Sequence, residues 1–96
     1  MHGEYKTPGG KLVVVDFTVE DRHLRDVMVS GDFFLYPDEA LESITASLDG
    51  LDIGLSQDEY AERIRLHLGP DVSLIGTSPE GIAIAVRRAL DGFSRE

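Results

Sequence analysis

The hydrophobic pattern of this chain changes its period at residues 30–42, and that change constrains the fold more than any other feature. Ahead of this stretch apolar residues alternate with polar ones, which indicates strands buried on one face. After it they recur every three to four residues, which indicates helices. We therefore predict an α+β fold, a small antiparallel sheet with three helices packed on one face.

Residues 11–36 are predicted to form the β unit of this fold. The odd positions of residues 11–19 are apolar from Val13 onward, and their β-branched side chains favour a half-buried strand. Residues 20–23 are polar, and the alternation then resumes over residues 24–30. The two segments predict an antiparallel hairpin with its turn at residues 20–23.

Residues 37–95 are predicted to form a helical half. The first helix should open at Pro37, because proline is favoured at the first helical position, and should end at Gly50. A second helix should follow Ser56, which forms a capping box with Glu59. In such a box the serine hydroxyl and the glutamate carboxylate each accept a free backbone N–H at the start of the helix.

The remaining helical signals lie near the end of the chain. A Gly-Pro pair at Gly69 ends the second helix, since proline cannot continue the hydrogen-bond ladder. Residues 71–76 are too few for a helix and are predicted to form a brief extended segment. A Ser-Pro-Glu start at Pro79 then opens a third helix, whose apolar stripe runs as far as Phe93.

The length and charge of the chain limit its possible functions. Its 96 residues are enough for a single domain, and residues 1–10, which end in Pro-Gly-Gly, are predicted to be a flexible lead-in. The net charge is −9 with only two lysines, so clustered cations for binding nucleic acid are missing from the sequence. The sequence has no apolar run of membrane-spanning length and no signal-peptide pattern, so we expect a cytoplasmic protein that does not contact membranes.

Residue types for catalysis and metal binding are sparse. Cysteine is absent, which excludes disulfides, thiolate metal sites and thiol catalysis. The histidines His2, His23 and His67 show no spacing that predicts a shared metal ion, and no established catalytic motif occurs. We therefore expect no catalysis and no metal site in this chain by itself.

The joint, as we call residues 30–42, concentrates aromatic side chains. Phe33, Phe34 and Tyr36 are three of the seven aromatic residues, and they directly follow Gly31 and Asp32. Glycine tolerates positive φ and aspartate accepts backbone N–H bonds, so this pair predicts a bend. Two interpretations follow: a buried corner of the core with an Asx turn, or a surface that contacts a partner.

The joint, together with the Tyr-Lys pair ending at Lys6 and the Gly-Gly-Lys-Leu-Val run at residues 9–13, resembles the C-terminal accessory domain of lipoate-protein ligases. In some organisms that domain is a separate small protein. The resemblance implies that the whole chain, residues 1–96, is one accessory domain, with a fold like that of iron-sulfur scaffold proteins. The glycine-rich adenylate motif and reactive lysine of the ligase catalytic domain do not occur here.

The resemblance also implies a role. A catalytic ligase subunit would be the partner, lipoyl carrier domains would be indirect partners, and the chain would be required when lipoate is activated with ATP to lipoyl-AMP. Lipoate, ATP and Mg²⁺ would be handled by the catalytic subunit, not by this chain alone. Contact with that partner or its adenylate site is expected at the strand start and the joint, namely at Lys6, Gly9, Gly10, Lys11, Gly31, Asp32, Phe33, Phe34 and Tyr36.

Two alternatives stay open at this stage. The chain could be a small α+β scaffold or regulatory interaction module with no role in lipoylation, or it could dimerise through the edge of the hairpin. The ligase hypothesis expects an exposed apolar patch of about several hundred Å² near the hairpin or the joint, left bare when the partner is absent.

Overall fold

A computed structural model describes the main chain of residues 1–94 and the side chains of residues 1–91. Phe93, the last residue of the apolar stripe predicted for the third helix, therefore lies outside the described side chains. Residue 95, the end of the predicted helical half, lies outside the described residues. The elements in chain order are β1 (His2–Lys6), β2 (Leu12–Glu20), β3 (His23–Gly31), β4 (Phe34–Tyr36), α1 (Ala40–Leu48), α2 (Gln57–His67), β5 (Ser73–Ile75) and α3 (Pro79–Ser94).

The main sheet has three antiparallel strands in the order β1-β2-β3. The predicted hairpin is confirmed, with a two-residue turn in which Asp21 and Arg22 have φ of 51° and 68°. Positive φ at both central residues matches the right-handed twist of the strands on either side. The chain therefore turns within residues 20–23, as the polar break predicts.

Strand β1 corrects the prediction of a flexible lead-in for residues 1–10. Residues 2–6 pair with β2 along their whole length. Alternation does not reveal this strand because its inward positions are Gly3, which has no side chain, and Tyr5. A Cβ at Gly3 would overlap the carbonyl oxygen of Ala85, so glycine here allows α3 to lie against the strand.

A β-bulge adjusts the apolar face of β3. The register of β2 and β3 shifts between Asp16 and Thr18, and Asp26 has a φ of 54° at that point. The extra residue changes the phase of the strand, so Leu24 and Val27 both point into the core although they are three positions apart. The bulge therefore keeps the whole strand facing the helices.

The three helices begin with different signals. The capping box is confirmed, because the Ser56 hydroxyl accepts from the Glu59 amide at 3.1 Å and the Glu59 carboxylate accepts from the Ser56 amide at 3.1 Å. The hydroxyl of Ser78 caps α3 by accepting from the Gly81 amide at 3.1 Å. Helix α1 begins at Ala40, three residues after the predicted start, because residues 37–39 form turns.

The core lies between one face of the main sheet and the helices, which confirms the α+β prediction. Helix α3 packs on β1 and β2, α1 packs on β3, and α2 packs against both of those helices. The largest fully buried side chains come from every layer: Val13, Val15, Leu24, Ile44, Leu48, Tyr60, Ile64, Ile82 and Val86. No helix in the described residues is long and apolar enough to cross a membrane.

Candidate functional site

The joint leads into a second, two-stranded sheet formed by β4 and β5. Phe34 pairs with Ile75, Leu35 with Leu74 and Tyr36 with Ser73. Since side chains alternate along a strand, Leu35 and Leu74 share the inner face, where both are half-buried against the core.

The outer face of these two strands is apolar and open to solvent. Phe34 is 69%, Tyr36 is 74% and Ile75 is 63% exposed. We call these three side chains the ribbon face. Three large apolar side chains grouped on one small sheet are unusual on a protein that acts alone, and such patches commonly mark interaction sites.

The exposure of the ribbon face tests the buried-corner interpretation of the joint. The buried-corner interpretation is wrong for Phe34 and Tyr36, which point into solvent. Phe33 is partly buried and packs against the core, so one of the three rings does serve the fold. Exposed apolar side chains are therefore present at the joint, where the ligase hypothesis expects a patch.

The bend before the ribbon depends on Gly31. Its φ is 146°, and a Cβ there would overlap the carbonyl oxygen of Leu12. The Asp32 amide donates to that same oxygen at 3.1 Å, which ends the β2–β3 ladder. The predicted bend is confirmed, and within the described residues it is made by main-chain contacts without a side-chain hydrogen bond from Asp32.

The Gly-Gly-Lys turn between β1 and β2 lies beside β5. The Lys11 amide donates to the Gly76 carbonyl at 2.8 Å, and the Gly10 amide donates to the Thr7 carbonyl at 2.7 Å. Both amides are used inside the fold, so the turn does not offer them to a phosphate. Of the predicted strand-start residues, Lys6, Gly9 and Lys11 are exposed.

Sequence analysis missed Ile75 as a site residue. It lies in the segment 71–76, which the sequence identifies only as briefly extended. An apolar residue opposite an aromatic one across two short strands is a recognisable signal only after the pairing of β4 with β5 is known.

A cleft of about 410 Å³ adjoins the ribbon face, between the end of β3, β4 and the start of α1. Its walls are mostly apolar, and Asp38 supplies the one carboxylate among the lining residues. The lining residues are Val29, Ser30, Gly31, Phe33, Phe34, Leu35, Asp38 and Leu41.

Outside β1, two ionisable groups among the described side chains have a shifted pKa: Asp52, in the segment that joins α1 to α2, and Tyr60, in the first turn of α2. The Gly54 amide donates to the Asp52 carboxylate at 2.6 Å and lowers the pKa of that carboxyl. The Tyr60 hydroxyl donates to the Asp52 carbonyl at 2.7 Å, and burial raises the pKa of Tyr60. These hydrogen bonds hold the connecting segment against α2.

Metal-binding groups are not brought together among the described side chains, residues 1–91. No set of three His, Asp or Glu side chains there is arranged to hold a metal ion. His2 bonds to Glu4 and Asp16 on the exposed face of the sheet, whereas His67 bonds to a backbone carbonyl of α2. The described residues form a small α+β domain with an exposed apolar surface, the ribbon face.

Comparison with known proteins adds a specific relationship. No protein-family model and no curated protein matches this sequence. Among solved structures, the chain is similar to a chain from an archaeal lipoylation system of Thermoplasma acidophilum, described as a bipartite lipoate protein ligase and its E2 lipoyl domain. The two chains share 23% identity with a TM-score of 0.73, and the match covers 91% of this chain and 93% of the other. The resemblance to lipoate-ligase systems is thus confirmed in the fold.

Proposed function

We propose that this chain is a non-catalytic accessory subunit of a lipoate-protein ligase. In this role it joins a separate catalytic subunit, which activates lipoate with ATP to lipoyl-AMP and transfers the lipoyl group to carrier domains in the cytoplasm. The observation that carries the proposal is the ribbon face, an exposed aromatic surface on a fold shared with a chain of a bipartite ligase system.

The ribbon face supports a role in binding, because burying it is favourable. Each of its side chains is about two-thirds exposed or more in the isolated chain, so most of its apolar area is available to a partner. Aromatic anchors of this kind dominate the energetics of many protein interfaces. Phe34 and Tyr36 are therefore the proposed anchors, with Ile75 beside Phe34 on the neighbouring strand.

The charges near the ribbon face favour a partner whose surface carries both basic and acidic side chains. Asp32 and Asp38 are exposed acids on the joint, whereas Lys11 lies beside β5, where its backbone amide donates a hydrogen bond to the Gly76 carbonyl. In the proposed complex Lys11 contributes positive charge next to the catalytic subunit, and the acids face basic side chains of that subunit.

Substrate binding is assigned to the catalytic subunit. The amides of Gly10 and Lys11 are already bonded within the fold, so this chain lacks a preformed phosphate cradle at that turn. Its proposed contribution is to complete or cover the catalytic subunit's site. The chain then changes the rate of adenylation without holding ATP, Mg²⁺ or lipoate on its own.

The proposal is tested by reconstitution. The catalytic ligase subunit from the same organism is incubated with ATP and lipoate, and pyrophosphate release is followed with and without this chain. We expect release to depend on the chain, and an equal rate in its absence would refute the proposal.

The same reaction distinguishes an accessory subunit from a lipoyl carrier domain. Intact-mass spectrometry after the reaction shows which polypeptide gains a lipoyl group. We expect a supplied carrier domain to be modified and this chain to keep its mass. Lipoylation at Lys6 or Lys11 would assign this chain to the carrier class instead.

A further inference from the structure

The second half of β3 has a free backbone edge. Asp32 donates to Leu12, so the ladder continues through the hydrogen-bonded pairs Val14–Ser30 and Asp16–Met28. The main-chain N–H and C=O groups of Val29 and Gly31 consequently point away from β2. Within residues 1–94 these outward groups have no hydrogen-bond partner in another element.

The first half of the same edge is covered. There the Leu24 amide donates to the Leu51 carbonyl at 2.9 Å, and the Gly50 amide donates to the Leu24 carbonyl at 2.7 Å. The loop after α1 thus fills the role of a neighbouring strand for part of β3. Another segment of the chain already pairs with the first half of this edge, so the geometry of the edge is compatible with pairing to an extended segment.

The free half of the edge opens directly onto the cleft, which Val29 and Gly31 help to line. In an antiparallel pair, residues directly opposite each other point to the same face of the sheet. A residue placed opposite Val29 would therefore direct its side chain towards Leu35 and Leu41. Gly31 has no side chain, which leaves space in the cleft beside that position.

We propose that an extended segment of the catalytic ligase subunit adds to the free edge of β3 as a further strand. The segment places an apolar side chain in the cleft and a lysine or arginine at Asp38. This inference rests on the proposed function and specifies how the partner binds. Main-chain hydrogen bonds provide affinity and the cleft provides specificity for the inserted side chain, as in other cases of strand addition.

Charge favours a basic segment of another protein over a second copy of this chain. Asp38 lines the cleft, and the chain carries a net charge of −9. Two copies would bring like charges together at the edge, whereas a basic segment gains from the same field. Self-association through this edge is therefore the competing outcome in the test.

Residue-resolved amide exchange tests the backbone pairing. Exchange is measured by NMR for the isotope-labelled chain, alone and in complex with the unlabelled catalytic subunit. We expect the Val29 and Gly31 amides to slow by about tenfold or more in the complex, because they gain hydrogen bonds. The Ser30 and Met28 amides, which already bond to β2, are internal controls that stay protected in both states.

A matched pair of variants tests the cleft. Asp38→Asn and Glu39→Gln each remove one exposed carboxylate at the start of α1, but only Asp38 lines the cleft. We expect Asp38→Asn to raise the Kd for the catalytic subunit about two- to fivefold at low salt. Glu39→Gln should leave the Kd nearly unchanged.

The outcomes separate the two proposals. A complex that restores pyrophosphate release but leaves Val29 and Gly31 exchange unchanged refutes strand addition and retains the accessory role. Absence of any complex refutes both. Protection of these amides that appears in the chain alone as its concentration rises shows pairing between copies, and it also refutes the assignment of this edge to the catalytic subunit.

Discussion

Replacement of Phe34 by alanine tests whether this residue belongs to an interface or to the core. Fully burying a phenylalanine is worth about 1.5–3 kcal/mol, and a ring that is 69% exposed realises only about a third of that in the free chain. The Phe34→Ala variant should therefore lose only about 0.5–1 kcal/mol of unfolding free energy. A fully buried ring would lose about 3–5 kcal/mol on the same change.

The larger effect of the Phe34 substitution is expected on binding. If the catalytic subunit covers the exposed two-thirds of the ring, the lost transfer free energy is about 1–2 kcal/mol, which raises the Kd about 5- to 35-fold. Urea unfolding measures the first quantity, and calorimetric titration with the catalytic subunit measures the second. Ile44→Ala is the opposite control, because Ile44 is 0% exposed and should lose about 2–5 kcal/mol of stability. A stability loss at Phe34 as large as that at Ile44, or an unchanged Kd, would refute this reasoning.

Three further predictions concern contacts that hold the fold together. Arg87 donates hydrogen bonds to the Ile53 and Leu55 carbonyls, before α2, at 3.2 and 3.3 Å. Arg87→Met should therefore reduce the unfolding free energy, measured by urea denaturation, by about 1–2 kcal/mol. An unchanged unfolding free energy would show that these hydrogen bonds do not stabilise the fold. Ser56→Ala removes one half of the capping box and should lower thermal stability by about 0.5–2 kcal/mol, with a small change for Ser56→Asp, which still caps. The His2 ring donates hydrogen bonds to the carboxylates of Glu4 and then Asp16, which raise the pKa of His2. This pairing therefore stabilises the fold below the ordinary histidine pKa of about 6.5, and the effect disappears as pH rises through the raised value. An NMR titration of His2 should therefore show a midpoint that falls in an Asp16→Asn variant, and an unchanged midpoint would contradict the assignment.

The hairpin and the helix starts could be predicted because their signals are local. Alternation over residues 11–19 and the polar break after it fix two strands and a turn. Ser56 and Ser78 mark helix starts because their hydroxyls can accept hydrogen bonds from nearby backbone amides. The structure contains both hydrogen bonds. Each of these features depends on residues within a few positions of one another.

The features that were missed depend on residues far apart in the chain. Strand β1 is specified by the close approach of α3 to Gly3, which no alternation in residues 2–6 reveals. The exposure of Phe34 depends on its pairing with Ile75, 41 positions later. Three-residue strands are also too short for alternation to show which side chains face the core.

The mixed outcome at the joint has a physical cause. Aromatic residues are buried more often than exposed, so sequence alone favours a core corner. The structure divides the cluster, with Phe33 against the core and Phe34 and Tyr36 outside it. Phe34 and Tyr36 depart from the usual burial of aromatic side chains, and the proposed function rests on that departure.

Formation of lipoyl-AMP by the catalytic subunit with variants of the ribbon face tests the central claim most directly. The Phe34→Ser, Tyr36→Ser double variant is compared with the unmodified chain and with Leu66→Ser, which removes a 70% exposed leucine from α2. We predict that the unmodified chain and the Leu66 variant support lipoyl-AMP formation equally, whereas the folded double variant does not. Equal lipoyl-AMP formation with all three chains would contradict the claim that the ribbon face joins this domain to a lipoate ligase.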